Sequence, residues 1–115
     1  MQLKWFVVAL GLAVWMGSVR FCLAKEQVYN LVIKDHKFVP EELTLPADKK
    51  VRITIENQDP TAEEFESYDL NREKVVAAHG RITLFIGPLK AGTYKCFGDF
   101  HPQTAQGNIV AEETS

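Results

Sequence analysis

The stretch Val51–Asn57, "VRITIEN", alternates apolar Val51, Ile53 and Ile55 with polar Arg52, Thr54 and Glu56. That period of two is the mark of a strand with one buried face. The style recurs along the chain in "QVYNLVI" (27–33), "KFVPEELTLP" (37–46), "RITLFIGPL" (81–89), "GTYKCF" (92–97) and "GNIVAE" (107–112). Turn-forming groups separate these runs at "PADKK", "NQDP", "AHG", "GPLKAG" and "AQG". Many short strands with frequent turns and no helical stripe predict an all-β fold, an antiparallel β-sandwich of Greek-key type. The acidic stretch "DPTAEEFESYDLNREKVVAAHG" (59–80) breaks the rhythm. Thr61 followed by Glu64 reads as a capping box for a short helix. The alternative is a long functional loop carrying one strand.

The N-terminus sets the domain boundary. Lys4 precedes an apolar run from Trp5 to Met16, and Cys22 and Ala24 place small residues at the −3 and −1 positions of a cleavage site. This is the layout of a secretory signal over residues 1–24, with an apolar run shorter than the ~20 residues of a membrane span; the alternative is an uncleaved N-terminal anchor, since Arg20 and Phe21 interrupt the cleavage region. Removing residues 1–24 from 115 leaves 91, residues 25–115, enough for one small domain. Lys4 and Arg20 leave with the signal, so 13 basic residues fall to 11 against 15 acidic ones, a net charge of about −4. That balance excludes a nucleic-acid surface. Cys22 leaves too, and Cys96 becomes a lone thiol in an oxidising compartment, where it must be buried, bound to metal, or a liability. An exported domain of this kind is expected to have no membrane span of its own after cleavage.

Chemistry concentrates near the C-terminus, in "YKCFGDFHPQTAQG" (94–107). Cys96 and His101 stand in C-x4-H spacing at a strand end and the following turn, where thiolate and imidazole can converge on copper or, less well, zinc. The alternative on spacing alone is a buried apolar cysteine and a turn histidine bonded to backbone. A second cluster joins Asp35 and His36 after the first strand to Glu63, Glu64, Glu66 and Asp69 in "EEFESYD". Carboxylates with an imidazole suit a hard ion, and in an extended segment Glu64 and Glu66 share one face while Phe65 and Ser67 share the other. Otherwise this is a solvated acidic loop. His79, before Gly80, reads as a turn residue, and Phe97 and Phe100 as packing beside the site. No nucleophile elbow or Ser/His/Asp set is present, and acid/base catalysis finds no base partner among three histidines.

"FVPEELTLPA" (38–47), "VRITIENQD" (51–59), "GPLKAGTY" (87–94) and "CFGDFHPQTAQGNIV" (96–110) together resemble the cupredoxins across nearly all of residues 25–115. "EEFESYDLNREK" (63–74) and the 86–107 stretch are similar to a narrower branch, the small periplasmic cupredoxins associated with bacterial iron permease systems. The resemblance implies a copper site of two His, one Cys and a weak axial Met. Cys96 and His101 take the places of the Cys and the second His. Glu63 or Glu64 stands where the first His belongs, and no Met lies near Ala105 or anywhere after residue 24. A carboxylate in that place favours Cu(II) or iron over Cu(I) and leaves a coordination position open. The metal ligands expected are Cys96, His101, Glu63, Glu64, His36 and Glu66, with copper or iron as the ion. The expected role is iron uptake, by oxidation of ferrous ion or its delivery to a membrane permease or periplasmic redox partner. The alternative is a binding or assembly module whose copper site has decayed.

Overall fold

A computed structural model describes residues 27–114. The expected signal, residues 1–24, lies outside the described residues. Nine strands follow in order: β1 (Val28–Lys34), β2 (Lys37–Val39), β3 (Glu42–Pro46), β4 (Val51–Asn57), β5 (Glu63–Ser67), β6 (Arg72–Val76), β7 (Arg81–Ile86), β8 (Gly92–Gly98) and β9 (Gln106–Glu112). They form two sheets, ordered β2-β1-β4-β7 and β3-β9-β8-β5-β6. The chain leaves the first sheet after β2, enters the second at β3, and returns for β4 and β7.

This is the β-sandwich the alternation predicts, with one addition. β1 pairs with β4 in parallel, as β3 does with β9, inside an otherwise antiparallel frame. Periodicity specifies which face of a strand is buried but not which neighbour it meets, so the parallel pairs leave no trace in the pattern.

β4 buries Val51, Ile53 and Ile55 as its alternation requires. Leu31 and Ile33 of β1, Phe38 of β2, Leu43 and Leu45 of β3, Phe65 of β5, Ile86 of β7 and Ile109 of β9 complete the core between the sheets. The rings of Phe38 and Phe65, one from each sheet, meet at 6.0 Å. The last inward position of β4 is Asn57, fully buried, and its amide is satisfied on all sides. Nδ2 donates to the carbonyls of Thr61, Val76 and Ala77, and Oδ1 accepts the N–H of Asp59. A buried amide needs such partners, and here they fix the loop after β4 and deliver the chain into β5.

The acidic stretch is neither a helix nor a loop with one strand: β5 and β6 form a hairpin turning through Tyr68–Asn71. Glu63, Phe65 and Ser67 point inward while Glu64 and Glu66 share the outer face. Ser67 Oγ donates to the Lys95 carbonyl at 2.6 Å, which satisfies a polar side chain in an interior position.

Candidate metal centre

Three connections converge at one site. The β1–β2 hairpin supplies His36 from a two-residue turn, Asp35 and His36, with φ of 53° and 58°. Such a turn needs left-handed backbone at both residues, which non-glycine residues adopt at a cost. Asp59 offsets that cost: its Oδ1 accepts the Asp35 N–H at 2.7 Å and its Oδ2 the His36 N–H at 2.9 Å. The same Oδ2 lies 3.5 Å from His36 Nδ1. Burial pushes the Asp59 carboxyl up, but the two N–H bonds and the His36 and His101 imidazoles outweigh it and hold Asp59 below its ordinary value.

Glu63 opens β5 and is 1% exposed. Oε1 accepts the N–H of Phe100 at 2.8 Å and of Glu64 at 3.1 Å, and Oε2 meets His101 Nδ1 at 2.5 Å. That last contact joins an imidazole nitrogen to a carboxylate oxygen, two atoms that both ligate metal ions. His101 itself sits in the tight β8–β9 connection. Its carbonyl takes the N–H groups of Thr104 and Ala105, and its own N–H donates to Gly98. The rings of His36 and His101 stack at 3.7 Å, 15° from parallel. His36, Glu63 and His101 each offer a ligand atom, and these lie within 4.8 Å of one another.

Of the six expected ligands, the structure therefore gathers three. Glu64 and Glu66, both half-buried, point to the other side of β5, where with exposed Asp99 they form a separate carboxylate group. Glu66 stands opposite Glu73 across the hairpin. Desolvation first, and then the neighbouring carboxylates, hold Glu64 and Glu66 above the ordinary glutamate value. Cys96 joins neither group. It sits in β8 opposite Gly107 of β9, 4% exposed, and burial pushes its thiol up to about 12. Phe97 packs on Tyr68, and Phe100 is exposed at the rim with its N–H on Glu63. His79 is a left-handed turn residue whose N–H donates to the Asp59 carbonyl.

Sequence reasoning missed the roles of Asn57, which it read as the end of the "VRITIEN" strand, and of Asp59, which it read as part of the "NQDP" turn. Their signal was polar side chains at and just after the end of an otherwise apolar inward face. It also missed Gly98, whose part is to have no side chain.

The site carries two imidazoles and one carboxylate, the donor set of mononuclear iron, zinc and oxidised copper sites. Comparison with known proteins bears on the frame around it. Residues 6–111 match the family model of the cupredoxin-like domain. An uncharacterized protein of Rickettsia prowazekii (strain Madrid E) is 52% identical over 84 residues, which span 73% of this chain and 67% of that protein. Among solved structures, auracyanin A, a "blue" copper protein of Chloroflexus aurantiacus, superposes with TM-score 0.65 at 15% identity over 76% of this chain and all of its own. Amicyanin from Paracoccus versutus gives 0.59 at 14% identity over 77% of this chain and 85% of its own. A purple cupredoxin from Nitrosopumilus maritimus gives 0.57 at 19% over 72% and 98%. At those identities the superpositions speak for the fold alone, whereas the family match covers nearly the whole chain: it belongs to the cupredoxin-like domain family.

Proposed function

We propose that this chain is an exported periplasmic metal-binding protein that holds a divalent copper or iron ion on His36, Glu63 and His101. Its role in this reading is iron uptake, by oxidising ferrous ion or passing it to a membrane permease. The observation that carries the metal assignment is the convergence within 4.8 Å of three ligand atoms from the β1–β2 turn, the first residue of β5 and the β8–β9 connection, and so from both sheets. The iron role draws on the resemblance of the 63–74 and 86–107 stretches and on the separate carboxylate group of Glu64, Glu66 and Asp99 across β5 from the site, hard donors for an arriving cation.

The residues fit an ion of the copper or iron type but do not fit a blue centre. Cys96 lies outside the donor group with its thiol pushed up to about 12 by burial, and the axial methionine position near Ala105 is a buried methyl. Two imidazoles and a carboxylate suit Cu(II), Fe(II) or Zn(II) and serve Cu(I) poorly. When bound, such an ion supplies a redox or Lewis-acid centre. The chain's own residues position Glu63 through two backbone N–H groups, hold His36 through Asp59, and surrender the proton between His101 and Glu63. Metal binding is therefore weakened by acid.

A second reading, a binding module with a decayed site, is favoured by one observation: the Glu63–His101 bond of 2.5 Å satisfies both groups without an ion. Titration of the purified protein with Cu(II), and anaerobically with Fe(II), followed by EPR and visible absorption, separates the two. The metal reading expects tight binding of at least one ion, a loss of at least ~10-fold in affinity in Glu63→Ala and His101→Ala, and native affinity in Cys96→Ala. Absence of binding of either ion to the native protein leaves the module reading.

A further inference from the structure

Alternation along β8 turns Tyr94, Cys96 and Gly98 to the same face, and Gly98 is the last before the chain bends toward His101. A Cβ placed on Gly98 lies 2.6 Å from Glu63 Cδ, 2.7 Å from Glu63 Oε1 and 2.7 Å from the Ala105 Cβ. The missing bond thus points into the metal centre, at the position the Glu63 carboxylate occupies. Backbone conformation does not demand glycine here, since among the described residues the positive-φ glycines are Gly87 and Gly92. Space does. Nor can the carboxylate swing aside cheaply, because it is buried and bonded to Phe100 N–H, Glu64 N–H and His101 Nδ1. Leaving those partners strands a buried charge.

We infer that Gly98 determines which ions this centre accepts: by having no side chain it cedes to the Glu63 carboxylate the space that a strand-end ligand would fill. The donors are then nitrogen and oxygen, a set that takes Cu(II), Fe(II) and Zn(II) and turns away Cu(I), which prefers sulfur. A thiolate at position 98 and a carboxylate at position 63 exclude each other sterically. Cys96, two residues back on the same strand face, supplies no sulfur to the site. This inference rests on the reading of His36, Glu63 and His101 as the metal ligands.

The test is a cycle at positions 63 and 98 with two readouts. The first is thermal unfolding of the native protein, Gly98→Ala, Glu63→Ala and the double variant, all metal-free. Gly98→Ala is expected to lower Tm by roughly 5 °C or more while Glu63 is present, and by clearly less once Glu63 is alanine. Equal losses in the two backgrounds overturn the steric pairing. The second is competition titration with Cu(II), Zn(II) and, anaerobically, Cu(I). The native protein is expected to prefer Cu(II) and Zn(II) over Cu(I) by at least ~10-fold. Glu63→Ala/Gly98→Cys is expected to reverse that order and to gain a thiolate-to-copper charge-transfer band. A native protein that binds these ions, with the order unchanged and no band in the variant, overturns this inference alone. A native protein that binds none of them overturns the functional reading and the inference with it. Should the cysteine variant fail to fold, the metal-free cycle still decides the pairing of Gly98 with Glu63.

Discussion

Asp59 touches no ion in this scheme, yet it keeps His36 in place. Its two oxygens hold the N–H groups of a left-handed turn that Asp35 and His36 would not otherwise favour. Asp59→Asn keeps the shape but replaces one acceptor with a donor facing an N–H. We expect a stability loss of about 1–3 kcal/mol by denaturant unfolding. Ion affinity should fall between ~10- and 100-fold, the range for a residue that orients a ligand. A variant that unfolds more easily but binds metal like the native protein removes Asp59 from the positioning role. The folded-state lowering of the Asp59 carboxyl has a definite sign. Its stabilisation is complete above the ordinary aspartate value of 3.8 and is lost as pH falls below it. Residue identity was only half legible in sequence at this scale. His101 and Glu63 stood out because imidazole and carboxylate are conspicuous. The C-x4-H spacing drew attention to Cys96, but a strand carries residues 96 and 98 on one face at different depths, and spacing cannot tell depth. Gly98 left no side-chain signature to read.

The β5–β6 hairpin shows why an element can hide. The inward positions of β5 are Glu63, Phe65 and Ser67, only one of them apolar, and in β6 only Val76 is buried, so the usual alternation of hydrophobic with polar is erased. The two polar residues point inward because one serves the site and the other ties β5 to β8 through the Lys95 carbonyl. By contrast β4, with Val51, Ile53 and Ile55 inward, could be read directly. The outer face of the hairpin sets Glu66 against Glu73, and like charges directly opposite destabilise a pair of strands. Glu66 is held above the ordinary glutamate value of 4.5, so the folded hairpin binds this proton more tightly than the unfolded chain does. Stability contributed here is therefore present below 4.5 and declines as pH rises through the folded value. Glu73→Lys replaces the repulsion with an opposite charge. Tm at pH 7 should rise, and the decline between pH 4 and pH 7 should flatten. Added salt should shrink the gain. An unchanged or lowered Tm at pH 7 contradicts this account of the outer face.

At the scale of the molecule, the two sheets meet through their core and again at the ligand cluster. His36 belongs to a turn of the first sheet, while Glu63 and His101 belong to the second and lie 38 residues apart in sequence. An ion bound by all three stabilises the sandwich as a whole. At an ion concentration ~100-fold above Kd the gain is about 2.7 kcal/mol. For a domain of this size that is a Tm shift of order 10 °C or more. Chelator should reverse the shift, and Glu63→Ala should abolish it. A shift that survives Glu63→Ala places the ion elsewhere. The layered architecture was legible from short alternating strands and regular turns. The parallel pairs β1–β4 and β3–β9 were not, since a strand buries the same face whichever way its neighbour runs. The convergence of donors from both sheets also dictates chronology. Before the sheets dock, the donors are scattered along a chain with no pocket to hold a cation. On the proposed ligand set loading follows folding, and the cations of the compartment where the chain folds compete for a site that exists only once the sheets have met.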